Sequence, residues 1–148
     1  MKKKSFLGII LLFAMNVVLG QDLHSSQVPE KILHGFKQTF PQAKDVSWEK
    51  KGDLYEVEFE VGFWNNDRKV WYDSEGKKVG YEEDIPKKEL PDVVMNAIKK
   101  NYKYYWIKDV KKYISKGKTT YEVELKSFTH EWKVVFDPLG EELSKIAD

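Results

Sequence analysis

The chain has 148 residues, with 25 basic and 24 acidic side chains, a formal net charge of +1 and no Cys. This balance excludes the basic footprint of a nucleic-acid-binding protein and the polybasic patch that holds a protein to anionic lipid. The absence of Cys excludes disulfides and a thiol nucleophile, so a hydrophobic core has to stabilise the fold.

Residues 1–20 have the pattern of a signal peptide. Three lysines at positions 2–4 precede an apolar run at positions 6–19, and small or modest side chains lead up to Gln21. A membrane anchor is the competing interpretation, but the run has about 14 residues and a bilayer span needs about 20. We therefore expect cleavage after Gly20. Cleavage removes three of the 25 basic residues, leaving 22 against 24 acidic residues, and it leaves no stable membrane insertion.

Two amphipathic helices are predicted, one in each half of the chain. Each follows an apolar residue and a proline, Val28-Pro29 and Leu90-Pro91, because proline lacks an N–H that would be unpaired at a helix start. Pro41 ends the first helix, since the residue before a proline is pushed out of the helical region. Apolar side chains at spacings of three and four form one buried face on each helix. They are Ile32, Leu33, Phe36 and Phe40 in the first copy and Val93, Val94, Ala97, Ile98 and Tyr102 in the second.

A meander of antiparallel strands is predicted after each helix. Segments 55–59 and 121–125 both read Tyr-Glu-Val-Glu followed by an apolar residue, and this alternation is typical of a half-buried strand. Asp-x-x-Gly turns follow at 73–76 and 137–140, where Asp caps the turn and Gly takes a positive φ. Further strands are predicted at 45–50, 69–73, 77–81, 110–114, 133–137 and 141–146.

The two halves are therefore repeats of one small unit. We divide the mature chain into a tail at 21–25, a first unit at 26–84, a linker at 85–89 and a second unit at 90–148. A helix packed on one face of an antiparallel meander buries the apolar side of both elements. The predicted fold class is α+β, with two tandem helix-plus-meander units.

The order of these motifs resembles the PepSY-like proteins related in fold to the β-lactamase inhibitory protein, which occur as exported proteins of Bacteroidetes-type bacteria. The likeness spans essentially the whole mature chain. It implies that the two meanders join into one curved antiparallel sheet with both helices on one side, and that the protein binds and inhibits another protein. The second copy departs from the pattern at Lys103-Tyr104-Tyr105-Trp106, where no proline follows the helix. The matching residues are the two helix starts, Phe36-x-x-x-Phe40-Pro41, Val46-x-Trp48-Glu49, the two Tyr-Glu-Val-Glu strands and the two Asp-x-x-Gly turns.

Enzymatic chemistry has little support in the residues. His24, His34 and His130 lack the spacing of a metal site, and each is expected to lie in solvent or on a helix surface. The Asp-x-x-Gly turns lack the alternating oxygen ligands of an EF-hand loop. The four Glu residues of the Tyr-Glu-Val-Glu strands could act as paired acids, but alternation places them opposite the core, where solvated carboxylates are expected. We predict no catalytic residue, no metal and no cofactor.

Aromatic residues outside the predicted core are the remaining signal. Alternation places Trp71 opposite the core, and its counterpart Val135 is apolar as well. Trp is enriched at binding hot spots, although lysine stems from neighbouring strands could instead cover the ring. A hairpin loop with two rings at 63–64 is the second candidate, and Tyr104-Tyr105-Trp106 is the third. The candidate partner-binding residues are Trp71, Lys69, Val135, Glu56, Glu58, Glu122, Glu124, Phe63 and Trp64, with Lys133 at the rim.

Two functions are compatible with these features. The first is an exported non-enzymatic binding module, periplasmic or secreted, whose outer sheet face docks a protein and inhibits or modulates an exported enzyme. The second is an envelope protein that holds a small apolar ligand between the helices and the sheet. Aromatic rings on the open sheet favour the first function, and rings that line a cavity favour the second.

Overall fold

The computed structural model describes residues 20–62 and 66–148, so residues 1–19 of the predicted signal peptide lie outside the described part. Within these ranges the chain forms two α-helices, α1 (Glu30–Thr39) and α2 (Asp92–Asn101), and short 3₁₀ turns at Ser25–Gln27 and Lys87–Glu89. The strands are β1 (Gln21–Leu23), β2 (Lys44–Lys51), β3 (Leu54–Val61), β4 (Asn66–Tyr72), β5 (Lys78–Asp84), β6 (Trp106–Ser115), β7 (Lys118–Lys126), β8 (Glu131–Phe136) and β9 (Glu142–Ala147).

All nine strands of the described residues belong to one sheet, and they lie in chain order from β1 to β9. Every neighbouring pair is antiparallel. The sheet is open, because β1 and β9 lie at its two ends. This confirms the predicted α+β class, with the strands of two tandem units joined into one antiparallel sheet.

Both helices pack on one face of the sheet, each over the strands of its own unit. α1 buries Ile32 and Phe36, and α2 buries Val94 and Ile98, as the helical spacing predicts. The prediction that Val93 lies on the buried face is wrong: Val93 is 49% exposed, because it precedes the inward-pointing Val94 by one position. Burial of a helix side chain such as Ile32 or Ile98 stabilises the fold by roughly 1.5–3 kcal/mol. The sheet contributes Trp48, Val57, Phe59, Val70 and Tyr72 to the first core and Val110, Val123, Leu125, Val134 and Phe136 to the second.

Pairing between β5 and β6 joins the two units. The register runs from Gly80 opposite Ser115 to Asp84 opposite Lys111. The first unit's last strand was predicted to end at 81, and the structure extends it to Asp84. Ile85, at the start of the predicted linker, is buried in the second core. The join is therefore a continuous piece of sheet rather than a free connection.

The predicted tail is also part of the sheet. Gln21 pairs with Lys50 and Leu23 pairs with Trp48, so β1 covers the edge of β2. Leu23 packs against the first core. Covering an edge strand in this way satisfies backbone groups that would otherwise be open to another chain. Because the pairing is non-local, the three residues of β1 carried no strand signal of their own.

The two Asp-x-x-Gly turns have the same hydrogen bonds. In each, the Asp Oδ1 atom accepts from the backbone N–H groups two and four residues later, at 2.9 Å, for Asp73 and for Asp137. Gly76 and Gly140 follow with φ angles of 81° and 82°. These angles lie in the left-handed region, which Gly adopts without a steric penalty. The turn chemistry predicted for both units is confirmed.

Candidate functional site

The face of the sheet opposite the two helices, called the open face, contains most of the candidate binding residues. Its side chains alternate with the core positions of β3 to β8. Neither helix covers this face, yet several of its side chains are buried, so neighbouring strands pack their side chains against one another here. The open face is defined by Glu56, Glu58, Lys69, Trp71, Glu82, Asp84, Lys111, Tyr113, Thr120, Glu122, Glu124, Lys133 and Val135.

Trp71 and Glu56 face each other on β4 and β3. Trp71 Nε1 donates to Glu56 Oε2 at 2.6 Å, and Lys51 Nζ donates to Glu56 Oε1 at 2.8 Å. Glu56 is only 4% exposed, so the expectation of a solvated carboxylate is wrong at this position. A buried carboxylate needs partners for both oxygens, and the indole and the ammonium supply them. Trp71 is half-buried and held in one orientation.

The indole of Trp71 lies across Gly80 on the next strand. The two residues are register partners, and a Cβ atom added at Gly80 would lie 3.0 Å from Trp71 Cε3. The missing side chain of Gly80 therefore makes room for the ring. In the second unit the equivalent pair is Val135 and Ser144, and Val135 offers no donor to Glu122.

The join between β5 and β6 gives the open face an acidic centre. Lys111 Nζ lies 3.1 Å from Glu82 Oε1 and 3.6 Å from Asp84 Oδ1, and Glu82 is 6% exposed. Burial alone would lower the pKa of Lys111, but the charges of these carboxylates raise it. Burial raises the pKa of Asp84, and burial together with the Glu82 charge raises the pKa of Tyr113 and of Glu122. The carboxylates of Glu82, Asp84 and Glu122 surround the single ammonium group of Lys111. The centre is therefore complementary to a cationic group.

The other candidate residues flank this centre. Glu58 and Lys69 are register partners and form an ion pair at 3.3 Å. Lys133 pairs with Asp148 at 2.6 Å. Val135 is buried, so little of its side chain is available to a partner. The open face therefore presents Trp71 and charged side chains, rather than two apolar patches.

A second group of carboxylates lies at the end of the sheet. Oxygen atoms of Glu124, Glu131 and Asp148 lie within 4.8 Å of one another. Lys108 Nζ contacts Glu124 and lies 2.7 Å from Glu131, while Lys133 contacts Asp148. Hydrogen bonding to Glu124 and to Lys108 lowers the pKa of Glu131 to about 2. Because lysine ammonium groups lie where a cation would bind, the group is an ion-pair network.

The His residues do not assemble a catalytic pair. His24, His34 and His130 are all exposed. His24 Nδ1 is hydrogen-bonded to Ser26 Oγ at 2.9 Å, and the ring of His130 stacks on Trp132 with centroids 6.4 Å apart. Their contacts are structural and local.

The remaining aromatic candidates lie elsewhere. Phe63 and Trp64 lie outside the described residues. Tyr104 and Tyr105 lie between the end of α2 and β6, whose first residue is Trp106, and Tyr105 packs against the second core. Tyr104 is 87% exposed and Trp106 is 45% exposed. The structure thus separates Tyr104 and Tyr105 from the open face. Trp106 alternates with the core-facing Ile107 and pairs with Lys126, so it lies on the open-face side of the sheet, at the end of β6 far from Trp71.

Comparison with known families matches both units. A family model described as "Putative beta-lactamase-inhibitor-like, PepSY-like" matches residues 17–63 and 58–143. The chain belongs to this PepSY-like family. The first match covers α1 and the strands up to β3, and the second runs from the end of β3 through α2 into β9.

Three solved structures resemble the chain over most of their length. A DUF2874 family protein from Bacteroides uniformis has 23% identity and a TM-score of 0.70, covering 81% of this chain and 89% of its own. A BLIP-like protein from Bacteroides fragilis has 20% identity and a TM-score of 0.65, covering 83% and 89%. A structure from Bacteroides eggerthii described as "putative periplasmic proteins" has 18% identity and a TM-score of 0.71, covering 81% and 88%. These likenesses show a shared fold.

No curated protein matches the chain significantly. Among the described residues, neither helix is long and apolar enough to cross a membrane.

Proposed function

We propose that this PepSY-like protein is an exported, non-enzymatic binding module whose open face docks a protein of the periplasm or the exterior. The observation that carries the proposal is the arrangement of Trp71, which is held across Gly80 by the buried carboxylate of Glu56. A rigid, half-exposed Trp beside charged residues has the character of a binding hot spot. Fixing the ring before binding reduces the entropy lost on association.

The charge of the open face specifies the partner further. The carboxylates of Glu82, Asp84 and Glu122 surround the single ammonium of Lys111 at the join. A lysine or arginine of the partner would compensate this charge, and complementary charge mainly accelerates association and selects partners. The solved BLIP-like relative supports inhibition of an exported enzyme as the activity to test.

Capture of partners from the native cell envelope and culture fluid tests the proposal. The bait is the chain from Gln21 onward, which contains β1 and every later element, and mass spectrometry identifies stoichiometric partners. Trp71→Ala should weaken binding of the captured partner by about 2 kcal/mol or more. Trp71→Phe loses the same hydrogen bond to Glu56 but keeps a ring, so it should retain more affinity than Trp71→Ala.

A charge variant separates binding from folding. Glu58→Lys changes a partly exposed residue whose ion pair with Lys69 contributes little stability. It should reduce the association rate, and the reduction should shrink at high salt. Glu75→Lys is the matched control, because Glu75 pairs with Lys31 on the helix side. Equal partner capture by wild type, Trp71→Ala and Glu58→Lys would refute the open face as the binding surface.

The alternative function, a small ligand held between the helices and the sheet, stays a prediction. Its support is an open groove beside α2 with aromatic walls. The groove lies on the opposite side of the sheet from Trp71, so the two functions can be tested with separate variants.

A further inference from the structure

A groove lies between α2, the 3₁₀ turn Lys87–Glu89 and the start of β6. Its volume is about 510 Å³, within the range of roughly 300–1,000 Å³ that is usual for ligand sites. Its lining includes Met95, Ile98, Tyr105, Trp106 and Ile107. Ile98 belongs to the second core, and Met95 and Ile107 pack against that core, so these three form the floor. A floor of this kind suits an unbranched apolar chain.

Lysines form the rim of the groove. Among the described residues, no side-chain hydrogen bond or ion pair engages Lys87, Lys88, Lys99 or Lys103. Lysines of the open face, such as Lys111, are by contrast paired with carboxylates. Four unpaired ammonium groups around an apolar floor are complementary to a molecule with one anionic end and one apolar end.

The internal repeat shows which of these residues the fold itself does not require. Phe40 and Tyr102 end the two helices in the same way, each donating its N–H to the carbonyl four residues earlier at 2.8 Å. The next three residues are Pro41-Gln42-Ala43 in the first unit and Lys103-Tyr104-Tyr105 in the second. The same turn is therefore built without aromatic or basic side chains.

The 3₁₀ turns before the helices also differ, since basic side chains occur only in the second. The first unit has Ser25-Ser26 where the second has Lys87-Lys88, and in both an apolar residue and a proline follow after one polar residue. Lys87, Lys88 and Lys103 thus lie around the groove at positions where the first unit has no basic side chain, whereas Lys99 has Lys37 as its counterpart.

We propose that the groove binds a single-chain anionic amphiphile. Its chain lies on Met95, Ile98 and Ile107, and its anionic head lies among the rim lysines. Trp106 contacts the ring of Phe128 at a centroid distance of 5.8 Å, which extends the apolar track past the groove. This inference gives a chemical class to the ligand-binding alternative and does not depend on binding at the open face.

Calorimetric titration of the chain from Gln21 onward with laurate, below its micelle concentration, tests the inference. We expect one laurate per chain, binding at least about tenfold weaker for an uncharged twelve-carbon amphiphile, and no binding of acetate. Tenfold corresponds to the loss of about one charge-assisted hydrogen bond. Higher salt should weaken laurate binding.

Variants that carry the first unit's residues locate the site. Lys87→Ser with Lys88→Ser should weaken laurate binding at least about tenfold, and Lys87→Arg with Lys88→Arg should retain it. Lys77→Ser with Lys78→Ser removes the same charge at the β4–β5 turn and should bind laurate like wild type. Trp106→Ala should also weaken binding, and thermal unfolding verifies that each variant is folded.

Three outcomes would overturn the inference. They are laurate binding that the Lys87 and Lys88 variants leave unchanged, equal binding of the uncharged amphiphile, and association with vesicles of phosphatidylglycerol without 1:1 binding of laurate. The last outcome would assign the surface to a bilayer. Trp71→Ala should bind laurate normally, so failure of this inference is distinguishable from failure at the open face.

Discussion

Glu56 and Gly80 together fix the position of the Trp71 ring. Glu56 supplies a charged acceptor at 2.6 Å, and Gly80 supplies space because it has no side chain. The second unit has Val135 and Ser144 at the equivalent positions, so it lacks both the indole and the space for one. The two repeats share a fold and differ at the residues that shape the open face.

Gly80→Ala should disturb the ring of Trp71. The new Cβ would lie 3.0 Å from Cε3, so the indole has to move and its hydrogen bond to Glu56 should lengthen. We expect a loss of about 1 kcal/mol or more in the free energy of unfolding, as for overpacked sites. Chemical denaturation measures the loss, and tryptophan fluorescence reports the displaced ring.

Gly35→Ala is the control for this substitution. Gly35 lies inside α1, and a Cβ added there meets nothing within 4 Å. Alanine should stabilise the helix by about 0.5–1 kcal/mol. If Gly80→Ala stabilised the protein as Gly35→Ala does, the close packing of Trp71 on β5 would be disproved.

Local sequence patterns predict which way a side chain points better than they predict how deeply it is buried. Alternation placed Glu56 opposite the core correctly, but it suggested a solvated group. The burial of Glu56 depends on Lys51 across one strand pair and on Trp71 across another. Such pairing is set by the register of three strands, which the sequence of β3 alone does not contain.

At the scale of elements, the two Asp-x-x-Gly turns are chemically equivalent but sit in different surroundings. Both glycines have positive φ. A Cβ added at Gly76 would lie 3.4 Å from Cγ of Lys31, whose flexible side chain can move. A Cβ added at Gly140 would lie 2.8 Å from the backbone oxygen of Val93 in α2. The second turn therefore packs directly on a helix.

Gly140→Ala should destabilise the protein more than Gly76→Ala. Both variants place an L side chain in the left-handed region, which costs about 1–2 kcal/mol. Only Gly140→Ala also pushes against helix backbone, which should add at least about 1 kcal/mol. Paired denaturation curves measure the difference in the free energy of unfolding. Equal losses for the two variants would show that α2 moves aside without destabilising the fold.

The two helices, both Asp-x-x-Gly turns and most of the strands follow from local signals. Apolar spacing located α1 and α2, and the repeated Tyr-Glu-Val-Glu segments located β3 and β7. The sequence patterns do not predict two strand segments, β1 and the end of β5. Both segments are strands because they pair with a neighbouring strand. Their backbone pairing is non-local, so composition and periodicity give no sign of it.

At the scale of the whole molecule, the join between the units determines the charge of the open face. Pairing of β5 with β6 brings Glu82 and Asp84 beside Lys111 and close to Glu122. Neither unit alone would have this acidic centre. The family resemblance predicts a joined sheet, but the local pattern ends the first unit's last strand at 81, before Glu82 and Asp84 at the join.

The acidic centre should make stability depend on pH. Burial raises the pKa of Glu122 above the usual 4.5, and the charge of Glu82 adds to the effect, while Lys133 and Lys111 oppose it. A carboxyl group with a raised pKa in the folded state binds its proton more tightly there than in the unfolded chain. It therefore stabilises the fold as the pH falls through the folded-state pKa, and it destabilises the fold as the pH rises.

Glu122→Gln should raise the thermal midpoint at pH 7 and flatten its dependence on pH just above 4.5. The variant removes a half-buried charge whose register partner Val135 offers no donor. Subtracting the wild-type curve cancels the opposite contribution of Glu131, whose pKa is lowered to about 2. Glu75→Gln, which changes an exposed carboxylate, should leave the curve nearly unchanged. A lower midpoint for Glu122→Gln at pH 7 would mean that Lys111 and Lys133 outweigh burial, and that the centre is balanced rather than acidic.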